Sequence, residues 1–158
     1  MKKYLKLLSA LLALIGTFLM FGTQVAVKWA SGKLENIGIQ ALVGGKFRMG
    51  TEIRNIGSGL AGYILLGAAA LILIVVALVP YFKEHDILSL TVTGLAIVCL
   101  IVGIILLFLI RKNFADANGM VDPVTVYVGW GAIAAGSLGG LSILFGGLGM
   151  ILDLSGNN

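Results

Sequence analysis

The sequence predicts an all-α membrane protein, a four-transmembrane-helix bundle, and three observations support this prediction. The 158 residues are 59% hydrophobic and 11% charged, whereas soluble domains carry roughly 25% charged residues. Four long apolar stretches follow one another along the chain. Short polar segments separate them, apart from one longer loop after the first stretch. Because so few charges cannot cover a globule in water, the excess apolar surface is expected to face lipid.

The four stretches predict a single membrane domain, 1–158, with a first loop at 23–59 and helices at about 5–22, 60–82, 87–110 and 124–152. At about 1.5 Å of rise per residue, each of the last three helices exceeds the roughly 30 Å hydrocarbon core of a bilayer. Pro80 is expected to end the second helix, because proline cannot continue the backbone hydrogen bonds. Asp122 and Pro123 are typical of an N-cap and first helical residue, and they predict the start of the fourth helix.

The first stretch follows three lysines, Lys2, Lys3 and Lys6, and is also compatible with a secretory signal peptide. No small-x-small cleavage site follows it, since the next residues include Gln24 and Trp29. We therefore expect an uncleaved signal-anchor helix, lengthened by lysine side chains that snorkel towards the membrane surface.

The first loop, 23–59, has two interpretations. Apolar residues alternate at 25–29 and again at 37–43, and Gly44-Gly45 follows. This pattern is a β-hairpin signal and predicts a small β-hairpin or sheet at the membrane surface. An irregular loop with a short interfacial helix accounts for the same residues equally well. The recognition residues of the loop are expected to be Trp29, Phe47 and Arg48.

Two signals disagree about orientation, although four crossings place both termini on the same side. A cytoplasmic N-terminus puts four basic residues inside (Lys2, Lys3, Lys6 and Lys83) and seven outside (Lys28, Lys33, Lys46, Arg48, Arg54, Arg111 and Lys112). The positive-inside rule favours the opposite arrangement. The lysines before the first helix favour a cytoplasmic N-terminus, because the first helix often dominates orientation. We expect a cell-membrane protein with both termini in the cytoplasm.

Asp, Glu, Lys, Arg and His are missing from the three long apolar stretches. Ion-coupled transporters and proton relays place such residues at membrane depth, so proton-coupled transport is not expected. The one histidine, His85, lies beside Lys83, Glu84 and Asp86. A metal site or general base is one interpretation of this cluster, and a solvated charged turn is the favoured one. We expect no enzyme activity and no catalytic, cofactor-binding or metal-binding residues.

The net charge of +4 does not indicate nucleic-acid binding. The eleven Lys and Arg residues are spread over helix ends and loops and form no basic stripe. The expected partners are the lipid bilayer and other membrane protein chains.

The fourth helix carries two rows of small residues at four-residue spacing, Ala132, Gly136, Gly140 and Gly131, Ala135, Gly139. In lipid, small residues let helix backbones approach closely, and the resulting packing drives association. These faces are expected to contact neighbouring helices within the chain or between chains. Two adjacent rows exceed what one partner helix needs, which favours self-assembly in addition to packing within the chain.

The layout is similar in outline to that of claudin-like tetraspan proteins, because a longer first loop carrying Trp29 is combined with a short second loop and short tails. The loop cysteine pair and the tryptophan plus Gly-Leu-Trp signature of claudins are absent, so the likeness is one of topology. We expect a non-enzymatic, multi-pass membrane subunit that assembles with itself or with a larger membrane complex through its small-residue faces and first loop. An oligomeric pore, lined or gated by the glycine-faced helix, is the alternative.

Overall fold

The computed structural model describes residues 2–155, and of Lys83 and Glu84 it describes the backbone only. It is mostly helical, with a small sheet. Four helices, Lys2–Phe21, Gly57–Leu78, Asp86–Phe108 and Trp130–Ser155, are long and apolar enough to cross a membrane. The elements are α1 (Lys2–Phe18), which continues into a 3-10 turn, β1 (Val25–Lys28), β2 (Leu34–Ile37), α2 (Gln40–Val43), β3 (Gly45–Lys46), β4 (Glu52–Ile53), α3 (Gly57–Leu78), α4 (Tyr81–Glu84), α5 (Asp86–Phe108), α6 (Ile110–Ala117), β5 (Thr125–Val128) and α7 (Trp130–Ser155).

The four long helices form a bundle in which each packs against two others. Helix α1 contacts α3 and α7, and α5 contacts the same two helices from the other side. The helices therefore follow one another around the bundle in chain order. Buried side chains from all four helices fill the interior, among them Ala13, Leu66, Leu100 and Ala135.

A pair of glycines allows α3 and α5 to pack backbone against backbone. A Cβ atom placed on Gly103 would lie 2.9 Å from the carbonyl oxygen of Gly62 and 2.6 Å from Cδ1 of Leu66. A Cβ atom on Gly62 would lie 3.0 Å from the carbonyl oxygen of Gly103. Because a backbone carbonyl cannot rotate away, a larger residue at either position would force the two helices apart.

The sheet joins two segments that are distant in the chain. Strand β1 is its central strand and pairs antiparallel with β2 on one edge and with β5 on the other. Since β1 follows α1 and β5 precedes α7, the sheet continues the contact between these two helices beyond the end of the bundle. A separate two-stranded pair, β3 with β4, completes the first loop.

The first loop combines parts of both of its predicted forms. The small sheet is present, but the alternation at 37–43 does not continue as a strand, because α2 begins at Gln40. Consecutive residues Ala41 and Leu42 are both buried. A helical turn can bury two neighbours, whereas a strand sends them to opposite faces. The turn that joins β1 to β2 lies around Gly32, which has a φ of 81°, and not at Gly44-Gly45.

The predicted start of the fourth helix at Asp122 and Pro123 is wrong. Residues Thr125–Val128 form β5, and the helix begins at Trp130. The β-branched and aromatic residues of this segment suit a strand, and pairing with β1 satisfies their backbone groups. Gly129 then passes so close to the backbone of Thr23 that a Cβ atom would collide with its carbonyl group.

Gln24 closes the end of α1. The two N–H groups of its Nε2 atom are shared among the carbonyl oxygens of Leu19, Met20 and Gly22, each of which lies 3.0 Å from Nε2. Its Oε1 atom accepts a hydrogen bond of 2.6 Å from the hydroxyl group of Tyr63 in α3. The carbonyl groups that a helix end leaves without intrahelical partners are thereby satisfied, and α1 is held to α3.

Replacing Gly103 with alanine is expected to lower the free energy of unfolding by about 1–3 kcal/mol, because the added methyl group overpacks the contact with Gly62. Gly94, on the same helix, is the matched control, since its Cβ position has nothing within 4 Å. Gly94→Ala is expected to leave stability unchanged or raised. Thermal unfolding in detergent measures both variants, and equal destabilisation would contradict the proposed role of the glycine pair.

Candidate functional site

Charged and hydroxyl side chains meet where α1 begins and α7 ends. The Nζ atom of Lys6 donates hydrogen bonds to Oδ2 of Asp153 at 2.5 Å and to Oγ of Ser89 at 2.9 Å. The Nζ atom of Lys2 lies 3.8 Å from Oδ1 of the same aspartate. Lys6 is only 4% exposed and Asp153 only 8% exposed. These four residues, Lys2, Lys6, Ser89 and Asp153, are called the terminal cluster, and they join α1, α5 and α7.

The terminal cluster corrects two expectations from the sequence. Lys6 does not snorkel to the surface, and the fourth helix continues past Leu152 to include Asp153. The buried pair therefore places ionisable groups inside two of the long helices, close to their ends. A signal for the pair is present in the sequence: opposite charges lie near the outer ends of the first and last helices, and an even number of crossings brings those ends together.

Two serines extend the polar contact deeper between α1 and α7. Ser9 Oγ donates to the carbonyl oxygen of Ser142 at 2.6 Å, and Ser142 Oγ donates to the carbonyl oxygen of Ser9 at 2.8 Å. Both side chains are fully buried. The reciprocal bonds require close backbones, and Gly146 permits this, since its Cβ position lies 3.0 Å from Ser9 Oγ. Interhelical bonds of this kind contribute roughly 0.6–2 kcal/mol each in a bilayer.

The three residues predicted for recognition in the first loop come together around a buried carboxylate. Glu35 Oε2 accepts a hydrogen bond of 3.0 Å from Trp29 Nε1, and Glu35 Oε1 accepts one of 2.8 Å from the backbone N–H of Arg48. The ring of Trp29 packs edge-on against Phe47, with 5.2 Å between centroids, and Phe47 packs in the same way against Phe114 of α6.

Burial divides these loop residues into two groups. Phe47 is 5% exposed and belongs to the core, whereas Trp29 is half-buried and the side chain of Arg48 is exposed. Trp29 and Arg48 line an open cleft of about 450 Å³ together with Ser31, Lys33, Leu34, Glu35 and Met49. We call this opening the loop cleft.

The small-residue row of Gly131, Ala135 and Gly139 packs within the chain. A Cβ atom on Gly131 would lie 2.9 Å from the carbonyl oxygen of Thr23, and one on Gly139 would lie 2.9 Å from Cγ1 of Ile104. Ala135, between them, is fully buried. This row therefore serves the contacts of α7 with α1 and α5.

The other row, Ala132, Gly136 and Gly140, passes from the interior of the bundle to its outside. Ala132 is buried, and the Cβ position of Gly136 lies 3.5 Å from the ring of Phe108, an ordinary contact. Gly140 has nothing within 4 Å of its Cβ position, and the same holds for Gly147, two turns further along α7. Leu144, between these two glycines, is 62% exposed. Gly140, Leu144 and Gly147 form what we call the open glycine face.

No family model, curated protein or solved structure matches this chain. Its function must therefore be inferred from its own geometry.

His85 lies in the turn between α4 and α5 with its side chain exposed. Its ring stacks on Tyr81 with 4.2 Å between centroids, and its Nδ1 atom lies 3.1 Å from the carbonyl oxygen of Tyr81. The side chains of Lys83 and Glu84, its predicted companions in a charged cluster, lie outside the described residues. Within residues 2–155 as described, no three His, Cys, Asp or Glu side chains group as metal ligands.

Phe47→Ala is expected to destabilise the protein by about 3 kcal/mol, because it removes a buried ring from between Trp29 and Phe114. Arg48→Ala is the neighbouring control and is expected to stay within about 0.5 kcal/mol, because its side chain is exposed. Chemical unfolding followed by tryptophan fluorescence reports on both. A stable Phe47→Ala variant would show that the loop does not depend on this aromatic contact.

Asp153→Leu is expected to cost about 3 kcal/mol of stability, because it leaves the ammonium group of Lys6 buried without its counter-charge. The double variant Lys6→Met with Asp153→Leu is expected to recover most of this loss, since no unpaired charge remains. Asp86→Asn, an exposed position nearby, serves as the control. Thermal unfolding in detergent distinguishes the three, and a double variant no more stable than Asp153→Leu would contradict the ion-pair explanation.

Proposed function

We propose that this protein is an integral, four-pass membrane subunit without enzymatic activity, which assembles with copies of itself or with a larger membrane complex. Large apolar side chains on the outer faces of the long helices support the membrane location. Leu11 of α1, Leu71 of α3, Leu95 of α5 and Leu148 of α7 are all exposed. Exposed apolar surface of this extent on four neighbouring helices is suited to contact with lipid.

In the proposed topology both termini lie on one side of the membrane, and the sheet lies on the other. The ion pairs of Lys2 and Lys6 with Asp153 support this arrangement, because they bring the start of α1 next to the end of α7. The lysines at the start of α1 favour the cytoplasm as the side of the termini.

The open glycine face is the observation that carries the proposal of assembly. Gly139 and Gly146 of the same helix are covered by neighbouring helices of the chain, whereas Gly140 and Gly147 are not. In lipid, glycines such as Gly140 and Gly147 let a second helix approach closely on either side of Leu144 and gain van der Waals contact. A second copy presenting the same face is the simplest partner, since isologous contacts close a dimer.

The loop cleft supplies a second contact surface outside the proposed membrane region. It combines the half-buried ring of Trp29 with the exposed cations Lys33 and Arg48. Aromatic and arginine side chains are enriched among the residues that contribute most to protein interfaces. We assign recognition of a partner subunit to this cleft.

Gly140→Leu and Gly147→Leu are expected to weaken self-association about tenfold, because each leucine holds the partner backbone away while remaining compatible with lipid. Particle mass in mild detergent, measured by light scattering over a range of protein concentrations, gives the association constant. Leu144→Ile, on the same face, is the control and is expected to associate like the parent.

The folded state of these variants is checked by thermal unfolding, in which both are expected to match the parent because their Cβ positions are open. Gly139→Leu is the contrasting variant: its side chain would collide with Ile104 inside the chain, so this variant is expected to unfold. Parent-like association of the two folded leucine variants, or a parent that is monomeric at every concentration, would overturn the proposal of self-assembly through this face.

A further inference from the structure

A cleft of about 190 Å³ opens beside the terminal cluster. We call it the terminal cleft. It lies between the start of α1, the end of α3 and the facing ends of α5 and α7, and its lining residues are Lys2, Lys3, Lys6, Val76, Ala77, Phe82, Asp86, Ser89 and Asp153. Since one water molecule occupies about 30 Å³ in the liquid, this space holds about six waters. It is large enough for a small polar group and too small for a whole lipid or peptide.

Among the lining residues that the structure describes, three lysines face two aspartates around the terminal cleft. Lys6 is held in place by Asp153 and Ser89. These bonds use two of the three N–H donors of its ammonium group. Lys2 is only loosely paired, at 3.8 Å from Asp153. Lys3 is exposed and forms no ion pair with any other side chain that the structure describes. The cleft thus presents one buried, hydrogen-bonded ammonium group, that of Lys6, and two more exposed ones, those of Lys2 and Lys3.

The position of the cleft places it at the level where lipid headgroups would lie if the helices cross a bilayer. It is formed by the first residues of α1 and the last turns of α7, that is, by helix ends. Tyr4 and Tyr81, on nearby turns, are exposed, as expected of aromatic residues at a membrane interface. Val76 and Ala77, which are buried, and the partly exposed Phe82 give the cleft an apolar wall.

We propose that the terminal cleft binds the phosphate-bearing headgroup of a net-anionic phospholipid. Lys2 and Lys3 contact the phosphate oxygens, Lys6 and Ser89 offer donors at the inner wall, and the apolar wall adjoins the first part of an acyl chain. A basic pocket between helices at the membrane surface is the arrangement that suits such a headgroup. The inference rests on the proposed membrane insertion, but not on self-assembly.

The test uses the protein purified in mild detergent. It is titrated with phosphatidylglycerol and, separately, with zwitterionic phosphatidylcholine, and inorganic phosphate is added as a competitor of the bound lipid. Native mass spectrometry counts the bound lipid and gives an apparent affinity. Lys2→Gln and Lys3→Gln are each expected to weaken phosphatidylglycerol binding about fivefold, since one lysine near a membrane surface contributes about 1 kcal/mol. Lys112→Gln removes the same charge from an exposed residue of α6, at the other end of the bundle, and is expected to bind like the parent.

The proposal is supported if the protein retains phosphatidylglycerol in preference to phosphatidylcholine and if only the cleft variants reduce this retention. The proposal would be overturned if phosphatidylcholine bound as well as phosphatidylglycerol, or if Lys112→Gln weakened binding as much as the cleft variants do. It would also be overturned if inorganic phosphate displaced the lipid at the lipid's own concentration, because the ligand would then be free phosphate. Alkaline carbonate extraction separates these results from the membrane proposal. Release of the protein from membranes by carbonate would contradict insertion, whereas absent lipid selectivity in a carbonate-resistant protein contradicts the cleft alone.

Discussion

Close backbone contact between helices is the constraint on which the rest of this structure depends. Gly62 and Gly103 bring α3 and α5 together, and Ser9 and Ser142 can exchange hydrogen bonds with each other's backbone only because α1 and α7 also lie close. In a lipid environment apolar side chains gain little by leaving their surroundings, so packing of this kind has to supply the association between helices. The abundance of glycine, alanine and serine in the chain follows from that requirement.

The two ends of the bundle are closed by different means. At one end Gln24 satisfies the last carbonyl groups of α1 and binds Tyr63, and the sheet then holds β1 against β5. At the other end Lys6 and Asp153 neutralise each other next to Ser89. Each set of contacts joins α1 to a neighbouring helix through a buried polar group. Leaving such a group unpaired would cost free energy, so each set of contacts also specifies how the helices are arranged.

The surfaces that we associate with function are what this packing leaves uncovered. On α7, one side of the helix is used for contacts within the chain, and Gly140 and Gly147 remain on the side that is not. At the end of the same helix, the ion pair of Asp153 with Lys6 leaves Lys2 and Lys3 at the mouth of the terminal cleft. Buried side chains from all four long helices pack together inside the described bundle, so the alternative of an oligomeric pore would place the pore between copies of the chain.

The sequence by itself determined the four long apolar helices and the rows of small residues, because both depend on the chemistry and spacing of residues near one another in the chain. Tertiary structure decided the start of the fourth helix, since Thr125–Val128 became a strand only by pairing with β1. It also decided the partner of Lys6, which lies at the other end of the chain. Tertiary structure also decided which small residues are left uncovered. Gly139 and Gly140 are chemically identical neighbours, and they differ only in whether another helix of the bundle lies against them.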